Sequence, residues 1–193
     1  MHLTLMRHGE PVRVGGADRC DPELSDAGWK QAHSVVRYLP ASDVDAVYSS
    51  PQLRARQTAQ PISSALDAPI VLDDGLVEFD HGAPYVHYDD GAAPMWRSYL
   101  AGDLSPWGLT AETFHMRIAA AMQRLADRHA EGRVLAVCHG GVINAWTCQV
   151  LGARERIQII EPDYASLHRY RYAAGRWHVL SLNEVPAPSS TYK

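Results

Sequence analysis

Apolar and polar positions alternate along the chain in runs of two kinds, short continuous stretches and longer segments with three- and four-residue spacing. Residues 2–6 form an apolar run that stops abruptly at Arg7-His8-Gly9-Glu10-Pro11, the pattern of a strand opening into a polar loop. Behind Ser25, a helix N-cap residue type, Trp29, Ala32, Val36 and Leu39 mark one face of an amphipathic helix that Pro40 closes. Val44 to Tyr48 reads as a buried strand. Ser49-Ser50-Pro51 is the turn after it, with Pro51 early in the next helix and Arg54 on that helix's first turns; Pro61 is expected to kink or end it.

Pro69 to Leu72 reads as another short strand, after which residues 73–110 turn rich in Gly, Pro, Asp and aromatics and lose clear periodicity. Thr110 is placed to cap a long helix carrying Phe114, Ile118, Met122 and Leu125 on one face, ending near Gly132. Val134 to Cys138 is a continuous apolar strand, His139-Gly140-Gly141 follows it, and Val142 to Leu151 reads as the next helix. Ser166 to Tyr172 and Trp177 to Leu182, joined by Ala173-Ala174-Gly175-Arg176, read as a terminal hairpin before a loose tail, Pro186 to Lys193. Strands alternating with helices predict a three-layer α/β/α sandwich with a mostly parallel central sheet, whose ligands bind beyond the carboxyl ends of the strands. Arg7-His8 and His139 occupy such ends. With no repeat or linker in view, residues 1–193 are read as one domain with an inserted lid-like segment at about 73–110.

Composition narrows the function. A chain of 193 residues can bury a core without disulfides or metals, and 18 Lys plus Arg against 22 Asp plus Glu, a net charge of −4, offers no global attraction to nucleic acid or an anionic membrane. Any anion site must be local. Three cysteines, Cys20, Cys138 and Cys148, are odd in number, and the last two lie in apolar surroundings that suit buried thiols in a reducing compartment. The first residues are too short for a signal core and no apolar stretch approaches a membrane span, so a soluble cytoplasmic protein is expected. The outer edge of the hairpin leaves a homodimer open.

A transferring phosphoryl group spreads negative charge over three outer oxygens, so an enzyme without a metal needs fixed cationic or N–H donors and an in-line nucleophile. Arg7 and His8 end the first strand, Arg54 begins a helix after the second, and His139 ends a later one beside Gly140 and Gly141, which let a backbone approach closely. Glu78 lies in a loop after another strand candidate, placed to serve a leaving oxygen as acid; Asp80 and His81 stand close enough in sequence to compete for that cavity. Glu10 and Pro11 are read as shaping the first loop and Gln57 and Thr58 as helix packing. Cys138 should point into the core.

These residues fall in four ordered blocks. Leu5-Met6-Arg7-His8-Gly9-Glu10-Pro11, the segment from Ser49 to Ala59, Leu76-Val77-Glu78-Phe79 and Cys138-His139-Gly140-Gly141-Val142-Ile143 together resemble the signatures of the histidine phosphatase superfamily, also called phosphoglycerate-mutase-like. The resemblance implies that His8 is a nucleophile that becomes phosphorylated, that Arg7, Arg54, His139 and Gly140 complete the phosphate pocket, and that Glu78 is the proton donor. It implies a phosphohistidine-forming hydrolase acting on a small-molecule phosphate monoester, with no cofactor and no metal. The first loop, Val12-Arg13-Val14-Gly15-Gly16, lacks the Asn usual in mutases, and the chain is short for a mutase that must exclude water. A phosphoglycerate mutase and a catalytically idle phosphate-binding module on the same fold are the rival readings. A His-rich metallohydrolase lacks supporting spacing such as His-Glu-x-x-His. Tyr85, His87, Tyr88, Trp96, Tyr99 and Trp107 are candidates either to line a substrate pocket or to pack the insert.

Overall fold

The computed structural model describes residues 1–13, 20–40, 43–85 and 94–186. The elements run β1 (His2–Arg7), α1 (Asp26–Tyr38), β2 (Ala46–Ser49), α2 (Leu53–Leu66), β3 (Ile70–Leu72), a 3-10 turn (Asp74–Leu76), α3 (Pro94–Leu100), a second such turn (Ser105–Trp107), α4 (Ala111–Arg128), β4 (Arg133–Cys138), α5 (Gly140–Val150), β5 (Leu167–Ala173) and β6 (Arg176–Glu184). One six-stranded sheet has the order β3-β2-β4-β1-β5-β6. Its β3, β2, β4 and β1 are parallel, and the hairpin β5–β6 adds antiparallel to β1.

Successive side chains of a strand leave by opposite faces, and β4 sorts its run accordingly. Val134, Ala136 and Cys138 join a layer with Phe114, Ile118 and Met122 of α4 and Val142 and Ile143 of α5. Leu135 and Val137 join Val35 of α1 and Ala55, Ala59 and Ile62 of α2 on the other side. A strand covered on both faces has no polar alternation to show, which is why residues 134–138 read as continuously apolar. The α/β/α sandwich follows directly.

Local chemistry sets the helix ends. The Ser25 hydroxyl accepts from the Gly28 N–H at the start of α1, and Thr110 forms a reciprocal capping box with Thr113 at the start of α4. Three expectations need correction. Pro61 does not end α2, which continues to Leu66, because the residues around it, Ala59 and Ile62, are buried against the sheet and offset the lost backbone bond. The helix after β4 begins at Gly140 rather than Val142, so the two glycines form its first turn. Residues 94–100 are helical, with Trp96 and Tyr99 buried on one face.

Trp96, Tyr99 and Trp107 pack around Phe79, while Tyr85 lies against Arg54. Tyr99 stacks on Phe79 with centroids 4.7 Å apart, Trp107 meets Phe79 edge-on at 4.8 Å, and Trp96 stacks on Tyr99 at 5.0 Å. Phe79 follows Glu78 in sequence, so this cluster anchors the loop that carries Glu78. His87 and Tyr88 lie outside the described residues.

Candidate active site

Register brings the strand ends together. Arg7 pairs with Cys138, and β2 aligns Ser49 with Val137 of the same β4, so the carboxyl ends of β1, β2 and β4 finish side by side. The chain is then pinned beyond the strands, His8 N–H donating to the Cys138 carbonyl at 3.0 Å and Ser50 N–H to the Val137 carbonyl at 2.9 Å. The N-termini of α2 and α5 open at this end of the sheet, which adds the partial positive charge of two helix starts.

His8 is buried, and its two ring nitrogens have opposite tasks. Nδ1 lies 2.7 Å from the Gly9 carbonyl oxygen, which can only accept, so Nδ1 carries the proton. Nε2 receives the Arg54 Nε–H at 3.3 Å, so it presents a lone pair. A neutral imidazole with its second nitrogen fixed is the form a nucleophile needs. The loop holding this tautomer is fixed in turn: Gly9 N–H donates to Thr58 Oγ1 at 2.9 Å, and a Cβ on Gly28 would lie 2.1 Å from the Glu10 carbonyl, so this crossing tolerates no side chain.

Arg7 and Arg54 are buried, and each has a tyrosine ring against its guanidinium. Tyr164 lies 4.0 Å from the Arg7 guanidinium and Tyr85 4.6 Å from that of Arg54. The two rings also flank His8, at 5.8 and 6.3 Å between centroids. Arg54 is oriented further by Asp21, whose carboxylate lies 3.5 Å from Nη1, and by Asp80, 3.4 Å from Nη2. Burial pushes the Tyr85 hydroxyl well above its ordinary value.

His139 stands at the N-cap of α5, its ring centroid 5.2 Å from that of His8. Its Nε2 is 2.9 Å from Ser50 Oγ, while Nδ1, also buried, has no hydrogen-bond partner among the described residues. Burial first, then the charges of Arg54 and Arg7 and the neighbouring His8, push its pKa well below the usual range, so it is a neutral ring. Glu78 sits beside it: Oε2 accepts the Gly141 N–H at 2.7 Å and Oε1 the Phe79 N–H at 3.0 Å. A Cβ on Gly141 would lie 2.3 Å from Glu78 Oε1, so only glycine admits the carboxylate here. Burial, and then the negative charge of Asp80, push the Glu78 pKa up to about 7. Asp80 is also raised by burial, against the pull of Arg54.

Arg7, His8, Arg54, Glu78, Asp80 and His139 thus stand at one end of the sheet, with Gly140 as the first residue of α5. Several positioning residues escaped that reading. Gln52 is buried and accepts the Glu78 N–H at 2.7 Å, tying the start of α2 to the acid loop. Asp21 accepts the Leu53 N–H at 2.9 Å and so supplies from a distant loop the cap that α2 lacks locally. Tyr164 lies in a loop whose sequence carries no periodicity. Gln57 and Thr58, read as helix packing, hold the first loop through the Leu24 and Gly9 N–H groups. The N-cap residue of α2, Gln52, makes no side-chain cap bond, and the Asp21 carboxylate enters there instead.

Comparison with known proteins shows the family and the fold. A putative phosphoserine phosphatase 2 of Hydrogenobacter thermophilus is 26% identical over 175 residues, covering 86% of each chain. A phosphoglycerate mutase-like protein 4 of Arabidopsis thaliana is 30% identical over 158 residues, covering 74% of this chain and 68% of its own. The crystal structure of a phosphoserine phosphatase from Entamoeba histolytica in complex with 3-phosphoglyceric acid superimposes with a TM-score of 0.76 at 22% identity, over 95% of this chain and 96% of that one. Residues 3–185 match the model of the histidine phosphatase superfamily (branch 1), and the chain belongs to that family.

Proposed function

We propose that the chain is a phosphomonoester hydrolase that transfers the phosphoryl group through His8 Nε2. The observation that carries this reading is the tautomer of His8, with its proton committed to the Gly9 carbonyl and its lone pair beside Arg54. Arg7, Arg54 and the α5 N-terminus at Gly140 take up charge on the outer phosphoryl oxygens, and Nδ1 of neutral His139, which has no partner among the described residues, donates to one of them. These groups do the electrostatic work that a metal does elsewhere.

The lone pair of Nε2 attacks phosphorus and the bond from phosphorus to the ester oxygen breaks. Glu78, whose pKa near 7 keeps a protonated fraction at neutral pH, gives its proton to the leaving alkoxide. The resulting carboxylate then takes a proton from water as its oxygen attacks phosphorus, the N–P bond breaks, and His8 returns neutral with inorganic phosphate released. Relatives named as phosphatases support hydrolysis, and a small phosphorylated metabolite is the class of substrate proposed.

The test uses a phosphate monoester carrying labelled phosphorus, quenched in the millisecond range. Acid-labile, base-stable label on the protein, absent from His8→Ala, together with stoichiometric free phosphate at longer times, is the expected result. Acid-stable label that persists in His8→Ala assigns the nucleophile to a carboxylate or hydroxyl. Label that moves to another organic acceptor without free phosphate makes the chain a mutase.

A further inference from the structure

Two carboxylates are buried two residues apart in the acid loop, and the Arg54 guanidinium is hydrogen-bonded to only one of them. Asp80 Oδ1 lies 3.4 Å from Arg54 Nη2, whereas the oxygens of Glu78 take the backbone N–H groups of Phe79 and Gly141. Gln52 ties the loop to the start of α2, its Oε1 accepting the Glu78 N–H at 2.7 Å. We propose that Asp80 is a positioning residue for the general acid: as the ionised member of the pair it occupies the free edge of Arg54 and faces Glu78 with a buried negative charge, which keeps the proton on Glu78. The inference rests on the reading of Glu78 as proton donor and gives Asp80 a role distinct from that of a rival acid.

The physical basis is the exclusion of water. Two carboxylates in a dry cavity do not ionise together, and whichever has the cation keeps the charge. Arg54 makes that choice, because its hydrogen bond goes to Asp80. The other groups facing Glu78 do not reverse it. Arg117 of α4 is the second cation in reach and keeps its charge, but its Nη2 hydrogen-bonds the Val77 carbonyl and not the Glu78 carboxylate, whose pKa stays raised. Tyr99 of α3 and Cys138 of β4 face the carboxylate in neutral form, burial raising both of their pKa values, and His139 is a neutral ring. His81 acts on Asp80, where it favours the ionised form. Asp80 is therefore the negative charge that acts on Glu78, and the direction of the Glu78 pKa agrees.

The experiment follows the Glu78 carboxyl carbon by NMR in selectively labelled protein, the signal assigned by its loss in Glu78→Gln, across pH in wild type, Asp80→Asn and Asp80→Glu. In Asp80→Asn the Glu78 midpoint is expected to fall by about one pH unit or more, and in Asp80→Glu to return most of the way. In parallel, kcat/KM for an alkyl phosphate should lose its basic limb earlier in Asp80→Asn, by the same displacement. The limb for p-nitrophenyl phosphate, whose leaving group needs little acid, should stay where it was. An unmoved or raised midpoint in Asp80→Asn overturns the proposal. So does a loss on alkyl phosphate alone at every pH, which would make Asp80 the acid itself. Should the wild type turn over no phosphate ester, the hydrolase reading fails, while the NMR midpoint still decides what Asp80 does to Glu78.

Discussion

At Gly141 a single missing methyl decides whether the Glu78 carboxylate can be where the proposed chemistry needs it. The Cβ of an alanine there would stand 2.3 Å from Glu78 Oε1 and 2.7 Å from the Phe79 ring, and Phe79 is wedged among Tyr99, Trp107 and Phe114. The ring cannot yield cheaply, so the carboxylate moves. Gly141→Ala is expected to behave as Glu78→Gln does, losing about 10²–10⁴-fold in kcat/KM on an alkyl phosphate and far less on p-nitrophenyl phosphate. Arg54→Ala, which removes charge from both transition states, should hurt the two substrates alike. Equal losses in Gly141→Ala on both esters would place the damage in the phosphate pocket instead. The contact between Gly141 and Glu78 spans 63 residues of sequence. The residue types were legible in the sequence, as glycines beside a histidine and a carboxylate after a strand, but their contact was not.

Among the elements, the loop from Glu161 to Ser166 shows why part of the site could not be read in advance. It carries Tyr164 onto Arg7 and is held by Asn183 of β6, whose side chain accepts the Asp163 N–H at 2.8 Å and donates to the Asp163 carboxylate at 2.7 Å. Asn183 has φ +56° and Ala165 φ +58°, backbone that a β pattern does not announce. Asn183→Gly keeps that backbone accessible while deleting both hydrogen bonds. It is expected to leave the fold intact, raise KM by several-fold and change kcat little, since Tyr164 supports Arg7 without touching the breaking bond. A fall in kcat at unchanged KM would refute this role. By contrast β1, β2 and β4 were plain in the sequence because each is covered on both faces, and Ser25 and Thr110 announced their helices by capping chemistry. The start of α5 at Gly140 was missed because glycine is a poor helix former, kept here by the approach of Glu78 rather than by propensity.

Across the whole molecule, the fold holds two buried groups, one in the site and one beneath it, against their ordinary protonation in opposite directions. Glu78 is raised from 4.5 to about 7 by burial and by Asp80, and His168, buried below Arg7 between Ser166 and the Asn183 N–H, is lowered from 6.5 to about 4 by burial and by the charge of Arg7. Their effects on stability have opposite signs. As pH falls from 7 to 4.5 the folded protein binds a proton on Glu78 that the unfolded chain does not yet bind, so this group favours the fold increasingly; as pH falls from 6.5 to 4 the unfolded chain protonates His168 first, which favours unfolding. Shifts of this size correspond to about 3 kcal/mol each, enough to nearly cancel over the shared window. Replacing one group exposes the other. In urea denaturation at pH 8, 6.5 and 5, the stability of Glu78→Gln relative to wild type should be most favourable at pH 8 and decline by up to about 3 kcal/mol toward pH 5. The hydrogen bonds Glu78 makes to Phe79 and Gly141 shift the absolute difference between Glu78→Gln and wild type but not its dependence on pH, so the slope isolates the titration. A difference constant across the three pH values would mean that Glu78 is ionised in the folded state throughout, and that the protein does not give up stability near neutral pH to keep a proton ready for the leaving group.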